Sequence, residues 1–160
     1  MVASIQSAHS QMMINERLLK KGLADLSIEH IIRRPLERGN SIHWMTGHIT
    51  RSRFSMAKAY GIDIENPLGE SFARGTPALD DDEYPDMKQV MSAWEQVTEK
   101  LMARMESITE EELKQSIDYP LPTNDQSLVG LATFLAFHET YHVGQISMVK
   151  KLFGLDGLVD

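Results

Sequence analysis

Apolar residues recur along this chain every three or four positions, the spacing of one helix face, and no stretch alternates convincingly with the period of a strand. Four long segments carry the helical period. The first runs from about Ala3 to Leu26 with Ile5, Met12, Leu19, Leu23 and Leu26 on one side. The second begins at Asn40 or Ser41, either of which can cap a helix, and stops at Gly61, a natural terminator. Its inner face reads Ile42, Met45, Ile49, Ser52 and Met56, with Trp44, His48 and Ser55 in the adjacent row. The third runs from about Asp86 to Ile108 through Met87, Val90, Trp94, Val97, Leu101 and Met105. The fourth starts at Ser127 and ends near Phe153, before Gly154.

Three connections separate these segments. Asp25 to Gly39 is polar and contains Pro35. Gly61 to Pro85 holds three glycines, three prolines and the acidic run Asp80 to Glu83, and reads as a long crossover loop. Such a loop can traverse a bundle, so the second and third helices need not be neighbours. Thr109 to Glu112 forms a capping-box pattern that opens a short helix to about Ser116, closed off by Pro120 and Pro122. The pattern predicts an all-α fold, a four-helix bundle with a long crossover, as one domain over residues 1–160.

Composition narrows the function. The net charge is −7 with no basic run, which argues against nucleic acid and against an anionic membrane surface. No apolar stretch reaches the length of a membrane span, and the first residues lack the charged start and apolar block of a secretion signal, so a cytoplasmic protein is expected. There is no cysteine, which removes disulfides, a thiol nucleophile and thiolate ligation; any metal must be held by histidine, carboxylate or amide.

The fourth segment carries the chemistry. Its stripe of Leu131, Leu135, His138, His142, Gln145, Val149 and Leu152 is interrupted by two imidazoles one turn apart. Polar rings on a buried face are costly unless their nitrogens are satisfied, and a divalent metal would satisfy one on each. His48, one turn after Trp44 and bordering the apolar face of the second helix, supplies a third imidazole. Two imidazoles from one helix and one from a facing helix make a three-nitrogen site with open positions. His9 and His30 lie on polar stretches and read as solvated; His43, turned about 140° from His48, reads as a surface residue.

His138-Glu139-Thr140-Tyr141-His142 also matches the short zinc-peptidase motif, in which the glutamate is the general base. The residues after it offer no further histidine or glutamate as a third ligand, so the peptidase reading is weak. Glu139 is turned about 100° from His138 and is expected to serve either as general base or as a carboxylate behind the ligands or on the helix surface. Gln145, one turn beyond His142, could orient a ligand or be satisfied by a neighbouring helix. Arg51 could reach over the open face toward an anionic substrate, or pair with an acid in solvent. Trp44 is expected to wall the site and exclude water.

Two blocks carry a family resemblance. Asn40 to Ile49, with an aromatic one turn before Gly47-His48, and His138 to Ile146, with two histidines four apart preceding Gly144-Gln145-Ile146, resemble the helix signatures of the DinB/YfiT-like metal-binding four-helix bundles. The resemblance spans essentially the whole chain. It implies His48, His138 and His142 as ligands of a divalent metal, commonly zinc or nickel, and a homodimer. It also implies a small-molecule substrate and a thiol-dependent S-transferase or isomerase activity that uses a low-molecular-weight thiol such as bacillithiol or mycothiol. The alternatives are a non-catalytic, metal-stabilised dimeric binding module and a metal-dependent hydrolase or peptidase.

Overall fold

A computed structural model describes residues 1–36, 39–75, 83–118 and 120–159. Six α-helices form among them: α1 (Gln6–Leu23), α2 (Ile28–Ile32), α3 (Ile42–Ala59), α4 (Met87–Ser107), α5 (Glu110–Leu113) and α6 (Leu128–Leu152). No strand forms among the described residues; a single antiparallel bridge joins Ser116 to Ser127. The fold is the expected four-helix bundle, built by α1, α3, α4 and α6. The acidic residues Asp80, Asp81 and Asp82 lie outside the described part.

The helix starts are chemical as well as geometric. Ser41 Oγ accepts from the Trp44 amide, and Asp86 with Gln89 and Thr109 with Glu112 form reciprocal capping boxes. Ser127 caps α6 by accepting from Val129 and Gly130. These side chains satisfy amides that the first helical turn cannot. At the other ends, Gly61 and Gly154 hold φ of +75° and +78°, which only glycine adopts cheaply after a helix.

α6 lies between α1 and α3, and α3 lies between α6 and α4. Although the long crossover would allow α3 and α4 to be separated, they pack directly on each other. One apolar cluster joins Ile5, Met12, Met56, Leu101, Met105, Leu131 and Leu135 at one end of the bundle. A second joins Leu19, Ile42, Met45, Ile49, Trp94, Val143 and Ile146 at the other. A third lies under the crossover, where Phe54, Leu68, Phe72, Tyr84 and Val97 meet.

Three readings need correction. The polar connection after α1 contains the one-turn helix α2, capped by Ser27 Oγ on the His30 amide; only Ile31 of it is buried, too little apolar pattern to read in advance. Leu152, placed on the inner stripe of α6, is 62% exposed, whereas Glu139 is 2% exposed. A helix held between two others buries more than one stripe, and at Glu139 the second buried stripe is charged. His43, read as a surface residue, is buried: its Nε2 donates to the Pro85 carbonyl at 2.8 Å and its ring meets Phe72 and Tyr84 edge-on. The crossover folds back over this side of α3.

Candidate metal centre

The site is built first on α3. Its Nε2 partner aside, His48 is held on two sides. Its Nδ1 lies 2.8 Å from the carbonyl oxygen of Phe72, and the Trp44 ring stacks on its imidazole at 4.7 Å and 10°. A carbonyl can only accept, so Nδ1 carries the proton and Nε2 of the neutral ring presents a bare lone pair. Phe72 reaches α3 because residue 47 is glycine: a Cβ there would sit 2.4 to 2.5 Å from three atoms of the Phe72 ring.

α6 brings the other two rings to the same point. His138 Nε2 lies 3.1 Å from His48 Nε2 and 3.2 Å from His142 Nε2. The donor atoms of the three residues all fall within 4.8 Å of one another, and these three are the one such histidine, cysteine or carboxylate group among the described residues. Ligand nitrogens about 2.0–2.1 Å from a common ion in tetrahedral geometry stand about 3.3 Å apart, close to these separations.

Protons alone satisfy this arrangement poorly. Desolvation by burial lowers the pKa of His138, with His48 and Arg74 adding to it, to about 4. Burial, then His138 and His48, lower that of His142 to about 4, against an opposing effect of Gln145. His48 is lowered as well, by burial first, with the Phe72 hydrogen bond opposing and Arg51 and Arg74 adding. Near neutral pH the three rings are therefore uncharged. His48 has spent its one proton on Phe72, and a single N–H on the central His138 Nε2 cannot point at both neighbours. The Nδ1 atoms of His138 and His142 are buried without a partner, so N–H groups placed there would be unsatisfied as well. A divalent cation at the convergence point would satisfy the three facing Nε2 lone pairs, leaving the ring protons of His138 and His142 on Nδ1, and three borderline imidazole nitrogens suit a divalent transition metal.

The remaining candidates sort by position. Trp44 lies against His48 and meets His142 edge-on at 6.4 Å. Gln145 sits beside His142; its Nε2 donates to Tyr141 Oη at 3.1 Å and its Oε1 is buried with no aligned donor. Arg51 forms an ion pair with Glu70 at 2.6 Å, the solvated pairing, yet its Nε is buried without a partner and its charge acts on His48. Glu139 does not fit the part of general base. Both its oxygens are held by Arg53, at 2.8 Å each, in the bundle interior, and it is not among the converging donors. Burial pushes its pKa up, against the pull of Arg53.

Two charged residues escaped the sequence reading. Arg53 looks like any helix-surface arginine until α6 places an acid opposite it. Arg74 comes from the crossover, two residues after Phe72, and its charge acts on His48 and His138. No local period announces either. His30 and His9 are half-buried rather than fully solvated, and His30 Nδ1 lies 2.9 Å from Ser27 Oγ.

The family model of the DinB superfamily matches residues 13–146. The chain belongs to the DinB superfamily. Among solved structures, this DinB-superfamily chain is similar to YfiT from Bacillus subtilis, described as a probable metal-dependent hydrolase with an unusual four-helix bundle topology. The TM-score is 0.74 at 12% identity, covering 98% of this chain and 91% of that one, a likeness of fold. No curated protein sequence matches the chain.

Proposed function

We propose that this DinB-superfamily protein is a metal-dependent enzyme in which His48, His138 and His142 hold one divalent ion and a small-molecule substrate is attacked on its open side. The observation that carries the reading is the convergence of three uncharged imidazole nitrogens with no proton arrangement that satisfies them all. When bound, such an ion keeps its full charge on three neutral ligands and lowers the pKa of a thiol or a water that joins it.

The chain's own residues do the rest. Phe72 and Trp44 fix the His48 ring so that Nε2 faces inward. Trp44 also excludes water from one side of the cluster. Gln145, whose Oε1 lies beside His142 with no aligned donor, can accept a hydrogen bond from an incoming ligand. Arg51, released from Glu70 or shared with it, can bind an anionic part of the substrate.

Thiol-dependent S-transfer with a low-molecular-weight thiol is the preferred reaction. Arg53 occupies the carboxylate nearest in sequence to the ligands, which takes Glu139 out of the part of general base, and a thiol ionises by ligation more easily than water does. The second reading is metal-dependent hydrolysis, supported by the description of YfiT. The zinc-peptidase mechanism is disfavoured because its glutamate is engaged. Homodimerisation is proposed on family grounds alone, and light scattering of the purified protein, giving the mass of one chain or two, decides it.

The test incubates metal-loaded protein with a low-molecular-weight thiol and an electrophilic acceptor, and in parallel with activated esters. Metal-dependent thiol consumption that disappears in H138A supports S-transfer; metal-dependent ester cleavage alone supports hydrolysis. Tight metal binding with neither turnover leaves a metal-stabilised binding module.

A further inference from the structure

The two helices that supply the imidazoles are also joined by a buried ion pair. Arg53 stands five residues after His48 on α3, and Glu139 lies between His138 and His142 on α6. Arg53 Nε donates to Glu139 Oε2 and Nη2 to Oε1, both at 2.8 Å, with side chains 1% and 3% exposed. The same guanidinium donates to the Met12 carbonyl of α1 at 3.1 Å and to Thr98 Oγ1 of α4, and lies 3.7 Å over the Trp94 ring. One cation thus touches all four long helices. From α1, Asn15 Nδ2 donates to the Ala136 carbonyl and meets Thr140 Oγ1 on the same helix as Glu139.

We infer that the Arg53–Glu139 pair is a positioning device that sets the rotation of α6, and so the place of the His138 and His142 nitrogens relative to His48. This rests on the metal reading of the three histidines.

Side-chain atoms stand roughly 5–6 Å from a helix axis, so a rotation of about 10° displaces them by roughly 1 Å. A metal site accepts ligand distances only within about 0.2 Å. Apolar packing alone tolerates small rotations, because one methyl can slide past another. A bidentate fork cannot: both oxygens must stay in the plane of two N–H bonds. A buried ion pair is also a poor stabiliser, and replacing it with apolar residues of similar volume often leaves stability unchanged or raised. If the pair served stability alone, that replacement would leave the metal site intact. If it sets rotation, stability and metal affinity separate.

The experiment compares wild type, R53M/E139L and R53K. Cooperative melting is measured by circular dichroism, metal affinity by chelator competition with zinc, and ligand geometry from the visible d–d spectrum of cobalt(II). The inference expects R53M/E139L to melt cooperatively near wild type while zinc affinity falls roughly ten-fold or more and the cobalt bands change shape. R53K keeps a cation over Trp94 but lacks the fork; the same loss of affinity is expected of it, and it decides the matter if the double variant does not fold. Wild-type affinity and an unchanged cobalt spectrum in a folded variant overturn the inference and leave the metal reading standing. A wild-type protein that binds neither ion overturns both.

Discussion

Replacing Gly47 with alanine probes how the crossover holds the site. The added methyl would overlap three atoms of the Phe72 ring at 2.4 to 2.5 Å, well inside van der Waals contact. Phe72 is fully buried, stacked on Tyr84 at 5.0 Å and edge-on to His43 at 5.6 Å, so its ring has nowhere to swing. Overpacking of this kind costs about 1–3 kcal/mol. Moving Phe72 also strains the hydrogen bond from His48 Nδ1 to its carbonyl, about 0.5–1.5 kcal/mol. Against these, alanine gains about 1 kcal/mol over glycine inside a helix. The net expectation is a loss of about 2 kcal/mol, or roughly 4–8 °C in Tm for a domain of this size. Since His48 loses its orienting partner, metal affinity should fall roughly ten-fold as well. Gly144 is the control, mid-helix in α6 with nothing within 4 Å of a built Cβ. G144A should therefore gain up to about 1 kcal/mol. Thermal unfolding of the chelator-treated proteins, followed by zinc competition, reads both effects. A G47A protein that melts at or above wild type refutes the packing argument.

Gly130 should be less forgiving still, because a Cβ there would lie 2.0 Å from the Asp125 carbonyl oxygen, which is backbone; G130A is expected to lower Tm more than G47A in the same melts. Adding zinc or nickel at about a hundred times its Kd should stabilise the protein by about 2.7 kcal/mol, with H48A, H138A and H142A each abolishing the shift. Acid should weaken the metal-free fold through the histidines. His138 and His142 titrate at about 4 when folded against 6.5 unfolded, so the unfolded chain takes up protons first. Their contribution is complete above pH 6.5 and declines toward pH 4. Urea unfolding across that window should show a shallower pH slope in H138A/H142A than in wild type; equal slopes would contradict the assignment.

What could be read from the chain was what is local. Ser41, Asp86, Thr109 and Ser127 cap the helices they were expected to open, since capping involves residues only two or three positions apart. The histidine pair was legible because four residues are one helical turn, and His48 because it sits at the margin of an apolar face. The long-range partners were not. Glu139 reads as a helix-surface acid, and its burial follows only from Arg53, 86 positions away. The covering of His43 and the carbonyl that fixes His48 both depend on how the crossover folds back, and a loop without a period carries no sign of where it lands. The short helix α2 buries a single isoleucine, below what a periodic pattern can register.

Anomalous diffraction at candidate metal edges, from crystals of protein purified without an affinity tag, addresses the central claim directly. The account predicts one divalent ion per chain, about 2.0–2.1 Å from Nε2 of His48, His138 and His142, with open positions facing solvent. An ion held elsewhere, or none after soaking with zinc and nickel while the three rings stay as close as they are here, would contradict it.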